Sequence, residues 1–582
     1  LAPRRSRLGA RRVARRIAIV GAGQSGLQLG LGLLAAGVDV TLVSNRTSEQ
    51  LLNGPVQSSQ CMFASALASE RALGLDFWSS QTPSVEGIAF RSAGGIGWAA
   101  RLDAPAQSVD QRVKLSGWLA EFENRGGRVV IQEAAVADLS QHARDHELTV
   151  VATGRGALGE LFDRDPRRSV HDAPQRVLAL TYVHGLDPRP EYSAVSFNVV
   201  PEVGEYFVFP ALTVSGPCEI MVFEGIPGGP MDCWGDVVTP AEHLTRSLEV
   251  LRRFFPREYA RAGRVELTDE RGVLRGAFTP TVRRPVASLP SGESALAMAD
   301  AAVLNDPLTG QGSNNAAKCA EIYLERILGH ETGPFDVRWM QQTFDHYWVA
   351  YAQWVVAWTN AVLAPPETHV QRLLEAAQRV PALAAAIANA FDDPRRVDPW
   401  WFDPVAADRL IAEKESEAAR GLDLRDLRHA FGQFATGVTV VTALGNGGRP
   451  VGVTANSFTS LSLEPPLVLW CLSRGASSLG VFQESEHFAV NVLASGQHHL
   501  SRLFATSGAD KFSGVQVREG AHGIPLLDGS LAHYICRSVR QIEAGDHFIF
   551  IGEVESYKLF DGEPLVFHSG SYRVTTRHPD LD

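Results

Sequence analysis

Lysine is nearly absent. Of 54 cationic residues only Lys114, Lys318, Lys414, Lys511 and Lys558 are lysines, so a mechanism built on a catalytic lysine has few candidates. Cysteine is also sparse: Cys61, Cys218, Cys233, Cys319, Cys471 and Cys536 include no C-x-x-C pair. That spacing excludes zinc-ribbon and thioredoxin-type sites, and so few thiols suit a reducing cytoplasm, each read as a buried small hydrophobe. A basic excess is missing too: the net charge of −11 excludes a broadly basic nucleic-acid binder. No long uninterrupted apolar run occurs. The most membrane-like stretch, 347–363, is broken by Gln353, Thr359 and Asn360 and stops at Pro365-Pro366. It reads as a buried helix rather than a span, with Trp354 and Trp358 sharing a face in the core or, alternatively, on a pocket wall. Arg4, Arg5, Arg7, Arg11, Arg12, Arg15 and Arg16 crowd the start without an apolar segment after them, which is not a secretory signal. Residues 1–15 read as a disordered Arg-rich leader, with a nucleic-acid arm as the alternative.

What is present is a globular composition, 45% apolar and 20% charged, over 582 residues, enough for roughly four structural units. Residues 16–404 alternate strands and helices around a mixed middle section. Residues 405–422, rich in Ala, Glu, Arg and Leu, read as a helical linker. Residues 423–582 change texture: 437–443, 467–472, 487–493 and 547–554 read as short strands between Gly, Pro and Asn turns, the pattern of a β-barrel.

Near the start, 17–20 reads as a strand, Gly21, Gly23 and Gly26 form a G-x-G-x-x-G, 27–36 reads as a helix and 38–43 as a second strand. In that context the first glycine permits a tight turn, the second lets backbone approach a pyrophosphate, and the third lets helix and strand pack. Where an acidic ribose ligand usually ends the second strand, the chain reads Ser44-Asn45-Arg46, and Arg46 can instead contact pyrophosphate or a ribose hydroxyl. An apolar strand at 148–154 ends in Ala-Thr-Gly, and residues 299–315 place Asp300 before a Pro/Gly-rich loop that opens a helix. Taken singly, Asp300 could be a helix cap and Gly310 and Gly312 a turn.

Together these three segments resemble the FAD-binding fold of aromatic-ring monooxygenases of the p-hydroxybenzoate hydroxylase type. The resemblance implies an α/β half: a Rossmann-like FAD domain interleaved with a mixed-sheet substrate domain. It implies Asp300 on the ribityl chain, the loop of Pro307, Gly310, Gln311 and Gly312 beside the isoalloxazine ring, and the helix bearing Asn315 aimed at the flavin. Thr153-Gly154-Arg155 stands where single-component members carry an Asp-Gly that serves NAD(P)H. No second fingerprint occurs in 60–400, so this half is expected to need reduced FAD from elsewhere. The segments 21–26, 51–56, 109–112 and 305–312 resemble the epoxidase component of styrene and indole monooxygenases. That implies a catalytic position for Asn53 near flavin and substrate, a loop cap being the alternative, and a FAD contact for Arg112.

The segments 425–441, 453–467, 488–493, Lys511-Phe512 and Gly545-Asp546-His547 resemble the small NADH:flavin oxidoreductases that partner two-component monooxygenases. The implied fold is a split β-barrel, normally a homodimer with flavin at the interface. Thr454, Asn456 and Ser457 offer donors to the polar edge of a flavin ring, and Ser473, Ser477, Ser478 and Lys511 can hold phosphate. The resemblance puts His547 at the nicotinamide; outside Gly-Asp-His before a strand it would read as an ordinary surface histidine.

The two resemblances together describe a self-sufficient styrene/indole monooxygenase. NADH reduces FAD in the C-terminal half. Reduced FAD passes to the N-terminal half and reacts with O2 to a C4a-hydroperoxide that epoxidises a styrene-like alkene or indole. The expected partners are a small hydrophobic aromatic substrate, O2 and a second copy through the reductase half, with no metal, nucleic acid or membrane. A flavin halogenase is excluded, because the first lysine after the fingerprint is Lys114 and no Trp-x-Trp-x-Ile-Pro occurs. A hydroxylase of another aromatic substrate, and an NADH:FAD oxidoreductase or NADH oxidase with an N-terminal flavin-binding module, remain as alternatives.

Overall fold

Strands that are apolar on both faces need cover on both sides, and in the computed structural model helices supply it. The structure describes residues 15–154, 156–330, 332–419, 424–506 and 511–575. The leader, apart from Arg15, lies outside them. The chain divides into two compact units between Arg420 and Gly421.

In the first unit one six-stranded sheet runs in the order Val286–Ser288, Ser294–Ala297, Leu148–Val151, Arg16–Val20, Asp39–Ser44, Arg128–Ile131. Every neighbouring pair is parallel except Val286–Ser288 with Ser294–Ala297. The helix Gln24–Ala35 is buried from Gln24 to Leu33. Its glycines let neighbours approach: a β-carbon on Gly30 would lie 2.9 Å from Phe122 Cε2, and one on Gly32 2.5 Å from Leu324 Cδ2. Phe122 belongs to the helix Gln111–Asn124 and Leu324 to Gly312–Leu328.

The chain enters a second, eight-stranded sheet twice. Its order is Glu266–Leu267, Val177–His184, Gly216–Gly225, Gly204–Thr213, Ala194–Val200, Ser84–Ser92, Gly97–Gln107, with Val273–Ala277 also pairing Val177–His184. Ser84–Ser92 runs parallel to Ala194–Val200; the other pairs are antiparallel. Tyr206, Phe223 and Trp234 pack with Val250 and Leu251 of the helix Pro240–Phe254, while Phe197 and Phe207 join a core with Trp358, Leu373 and Ile387.

The helix expected at 347–363 is present, but it continues directly from Val337–Tyr347 and opens with a π-helical turn, Trp348–Ala352, before Gln353–Leu363. Trp358 is core, edge-on to Phe391 at 4.8 Å and to Trp401 at 5.9 Å, whereas Trp354 is only half-buried. Among the described residues no helix is long and apolar enough to cross a membrane. The stretch read as a linker forms the helix Pro404–Ala419, and this helix is packed. Ala407 is fully buried, and Arg372–Asp408 at 2.7 Å and Arg379–Glu415 at 2.8 Å tie it to the helix Thr368–Ala377 and the residues after it. Residues 420–423 lie outside the described set.

The second unit is built on a seven-stranded antiparallel sheet in the order Pro450–Ala455, Thr439–Leu444, His487–Val492, Ala532–Ala544, His547–Leu559, Pro466–Ser473, Thr459–Leu463. Its two edge strands are consecutive in the chain, joined only by Asn456, Ser457 and Phe458. So short a link spans about 13 Å at most, so the sheet curls to bring its edges together. Trp470 stacks on Phe550 at 4.7 Å in the core so enclosed, with Phe482 and Phe488 edge-on. All six cysteines are free; Cys61, Cys218, Cys319 and Cys536 are buried, but Cys233 and Cys471 are half-buried. Burial pushes the Cys61 and Cys536 thiols up to about 12, which makes them inert packing groups.

Candidate active sites

In the first unit the strand Arg16–Val20 turns into its helix through Gly21, whose φ of +123° favours glycine. A β-carbon on Gly26 would lie 2.0 Å from the Gly21 carbonyl oxygen, whereas one on Gly23 would meet nothing within 4 Å. The outer glycines are therefore consumed by packing and the middle one opens onto space at a helix N-terminus that no side chain caps. This is the arrangement an approaching phosphate requires.

Asp300 is brought to the same region. Gly154, just after the central strand Leu148–Val151, lies so close to the Ala299–Ala301 turn that a β-carbon on it would sit 2.4 Å from the Asp300 carbonyl oxygen. The Asp300 side chain is exposed, and Arg283 Nη1 donates to its carbonyl at 3.1 Å. Arg46 sits against the segment that carries Asn53: its Nη1 would be 3.4 Å from a β-carbon on Gly54. Asn53 ends the helix Ser48–Leu52 and is exposed. Arg46 Nε and Asn305 Nδ2 are buried without a hydrogen-bond partner. Two orphaned donors, together with the open face at Gly23, fit a ligand rich in acceptor oxygens, as a flavin dinucleotide is.

The loop Pro307–Thr309 is capped by Asp306, whose Oδ1 accepts from the Leu308 amide at 3.1 Å, and Gly310 ends it at φ +64°. β-carbons on Gly310 and Gly312 would meet nothing within 4 Å, so the loop offers bare backbone on that side. The side chains of Gln311 and Asn315 turn the other way. Gln311 Nε2 donates to the Phe391 carbonyl at 2.7 Å, and its Oε1 accepts from the Tyr351 hydroxyl at 3.4 Å. Asn315 Oδ1 accepts from the Tyr347 hydroxyl at 2.7 Å. Both tyrosines stand at the π-helical turn, which anchors the loop from behind. The Gln311 side chain therefore serves the loop, which can offer a ligand its backbone there, and Asn315 Oδ1 is engaged by Tyr347.

Arg112 departs from the flavin contact implied for it. It is 2% exposed, and its guanidinium donates to Asp110 Oδ2 at 2.9 Å, to both Asp269 oxygens at 3.0 and 2.9 Å, and to Thr213 Oγ1 at 3.1 Å. These bonds pin the helix Gln111–Asn124 to the mixed sheet, and a side chain so committed has little left for a cofactor.

One cluster escaped the sequence reading. Arg176 and Glu205 form a buried two-pronged ion pair at 2.7 and 2.9 Å. Glu224 lies opposite Glu205 on the adjacent strand, is 1% exposed, and leaves Oε2 without a partner. Asp306 interacts electrostatically with Glu224, Glu205 and Arg176. Burial, then repulsion from Asp306 and Glu205, drives the Glu224 carboxyl far above its usual range, and burial lifts Asp306 to about 6. Three carboxyls thus stand around one guanidinium at Asp306, the residue that caps the Pro307 loop, and two of them, Glu224 and Asp306, are raised. Charged residues at facing positions of two otherwise apolar strands were the available signal.

In the second unit Ser473 and His547 are register partners on adjacent strands. The turn Gly545-Asp546 precedes His547, and Asp546 Oδ1 lies 2.8 Å from His547 Nδ1. The same end carries Ser477 and Ser478; Ser478 precedes the helix Leu479–Glu484, and the Ser473 hydroxyl accepts from the Gly475 amide at 3.3 Å. Ser457 closes the curl of the sheet: its Oγ accepts from the Cys471 amide at 2.9 Å. Asn456 beside it is exposed. Thr454 Oγ1 donates to the Ser501 carbonyl at 2.7 Å. Lys511 Nζ donates to the carbonyls of Phe504 at 2.9 Å and Gly452 at 3.3 Å, and burial lowers its pKa. The hydroxyls of Thr454 and Ser457 are thus spent on the frame, while Asn456, Ser473, Ser477 and His547 stand at the surface.

Two family profiles match the chain: "Styrene monooxygenase A putative substrate binding domain" over residues 154–261, and "Flavin reductase like domain" over residues 431–576. Among curated relatives, Styrene monooxygenase StyA of Pseudomonas fluorescens is 28% identical over 61% of this chain and 87% of its own length. FMN reductase (NADH) SmoA of Agrobacterium fabrum is 43% identical over 26% of this chain and 86% of its own. The solved structure of the Streptomyces globisporus NADH:FAD oxidoreductase SgcE6 with NAD and FAD fragments is 44% identical, covering 28% of this chain and 96% of that one, at a TM-score of 0.26. Through its second unit the chain belongs to the flavin reductase family. Its first unit is StyA-like, and the whole is a two-domain flavin monooxygenase with its reductase in the same polypeptide.

Proposed function

We propose that this chain epoxidises a small aromatic alkene, with styrene and indole as the candidate substrates, using NADH, FAD and O2. The observation that carries the proposal is the pairing, in one chain, of a StyA-like unit with a flavin reductase unit. FAD, when bound and reduced, supplies the electrons and the centre at which O2 is activated. In the first unit, residues 16–404 on this reading, the Rossmann-like sheet offers the Gly21–Gly26 turn and helix N-terminus to the pyrophosphate. Asp300 faces the ribityl chain, Arg46 supplies its unpaired Nε, and the bare backbone from Pro307 to Gly312 lies beside the ring. Asn53 lines the substrate side. The apolar core behind the loop excludes water and orients the alkene.

In the second unit, read as a split barrel over 423–582, Asn456 and the backbone at Thr454 and Ser457 hold the ring edge. Ser473, Ser477, Ser478 and Lys511 hold phosphate. His547, oriented by Asp546, places the nicotinamide for hydride transfer, which requires little more than two stacked rings. A homodimer through this unit is supported by large exposed apolar side chains: Phe431 at 69%, Phe434 at 78%, Leu463 at 91% and Leu559 at 64%. Six free, unpaired thiols support a cytoplasmic setting. Keeping both units in one chain raises the effective concentration of reductase near oxygenase.

The test is product analysis. The purified chain is given NADH, FAD and air with indole, styrene or simple phenols. Indigo from indole and an epoxide from styrene are expected. Ring-hydroxylated phenols without epoxide would move the reaction to a hydroxylase.

A further inference from the structure

We propose that the second unit carries a binding site for a borderline divalent transition cation, zinc being the reference, formed by His487, His522 and Glu555. Their ligand atoms lie within 4.8 Å of one another. His522 Nε2 is 3.1 Å and His487 Nε2 3.6 Å from the two Glu555 oxygens. Ligand atoms on a tetrahedral ion at about 2.1 Å are separated by about 3.4 Å, so the three groups stand somewhat wider than a bound ion would hold them and must close on it. The imidazole rings lie stacked, 3.8 Å apart and 15° from parallel, so binding one ion requires these partly exposed rings to turn out of the stack until each nitrogen lone pair points at it.

Three separate elements converge here, and two of them depart from regular backbone to do so. His522 sits in a turn at φ +60°, a conformation that non-glycine residues rarely adopt. Glu555 is a bulge residue: Val554 pairs Cys536 and Ser556 pairs Ile535, which leaves Glu555 without a partner across the ladder. Bulges re-aim side chains, and local strain collects where a side chain must be placed. His487 opens the strand His487–Val492. The competing cation nearby, Arg537, is engaged by Glu553, its Nε staying 3.9 Å from Glu555. Two imidazoles and one carboxylate select zinc, nickel, cobalt or copper over magnesium or calcium, with open positions left to water. The bound ion would clamp the Gly520–Ile524 turn onto the sheet.

The experiment uses the full, untagged chain stripped by chelator and titrated calorimetrically with zinc, then with magnesium and calcium. His522→Asn keeps a residue that tolerates the left-handed backbone while removing the imidazole, and Glu555→Gln removes the charge. NADH-driven flavin reduction of the metal-free variants checks that they are folded. The expected result is one zinc per wild-type chain, a higher melting temperature with zinc, no response to magnesium or calcium, and loss of that equivalent in both variants. No saturable zinc binding, or equal stoichiometry in wild type and both variants, would overturn the site.

Discussion

Ser473 and His547 face each other across neighbouring strands at the end of the reductase sheet, with the Gly545-Asp546 turn fixing where His547 begins its strand. A histidine held there beside a serine-rich loop is placed to orient a dinucleotide. His547→Ala is expected to slow NADH-driven flavin reduction about tenfold, a loss of roughly 1.4 kcal/mol in the transition state. Epoxidation driven by chemically reduced FAD should be unaffected. Steady-state kinetics with NADH as the varied substrate check this, and unchanged NADH consumption would remove His547 from the nicotinamide site.

Gly154 has no room for a side chain beside Asp300. Gly154→Ala must push the Asp300 turn away, at a cost of about 1–3 kcal/mol for overpacking. Weaker FAD binding by the first unit and lost epoxidation are expected, with NADH:flavin reduction preserved. Calorimetric FAD binding and the two activities, measured on the same preparation, separate these outcomes.

Arg112 holds two carboxylates and a hydroxyl together. Arg112→Met leaves Asp110, 1% exposed, as an uncompensated buried charge, and should cost about 3–5 kcal/mol of stability in the first unit. Arg112→Lys keeps the charge but loses the fork, and should fall between. Thermal melts give the ranking; FAD affinity of the folded lysine variant should stay near wild type.

The carboxyl cluster behind the Pro307 loop makes stability depend on pH in a defined direction. Burial raises Asp306 to about 6 and also raises Glu224, which Asp306 and Glu205 repel. A carboxyl that binds its proton more tightly folded than unfolded favours the folded state at low pH, and that contribution shrinks as pH rises. The loss begins above the unfolded carboxylate range, near pH 4, and passes through about pH 6 for Asp306, with Glu224 shifted in the same direction. Glu224→Gln, neutral and of the same shape, should flatten this slope and raise the melting temperature of the first unit at pH 8. A variant whose melting profile from pH 5 to 9 overlays the wild type would contradict a raised Glu224 carboxyl.

Much of this site is local in sequence. The Gly21–Gly26 turn and the run from Asp300 to Asn315 are contiguous, so a family resemblance is readable on them, and the second-unit strands appear within a few residues of where the sequence put them. What was not legible depends on partners far away in the chain. Arg112 reads as a flavin contact by resemblance until Asp269 and Thr213 fold onto it. Glu205 and Glu224 carry no local motif, and only the folded sheet brings them to Arg176 and Asp306. The helix Pro404–Ala419 reads as a connector because only its narrow face at Ala407 is buried, a stripe that composition does not register. The π-helical turn at Trp348–Ala352 has no sequence signature, yet it sets where Tyr347 and Tyr351 meet the loop.

The central claim is that one polypeptide both reduces flavin and spends the reduced flavin on an alkene. The direct measurement is stoichiometry: the purified chain, NADH, catalytic FAD, air and styrene, with styrene oxide and hydrogen peroxide each counted against NADH consumed. The account predicts styrene oxide that grows with NADH consumed and disappears when the first unit carries Gly154→Ala. NADH consumed entirely to hydrogen peroxide, with no epoxide at any styrene concentration, would leave only an NADH oxidase and contradict it.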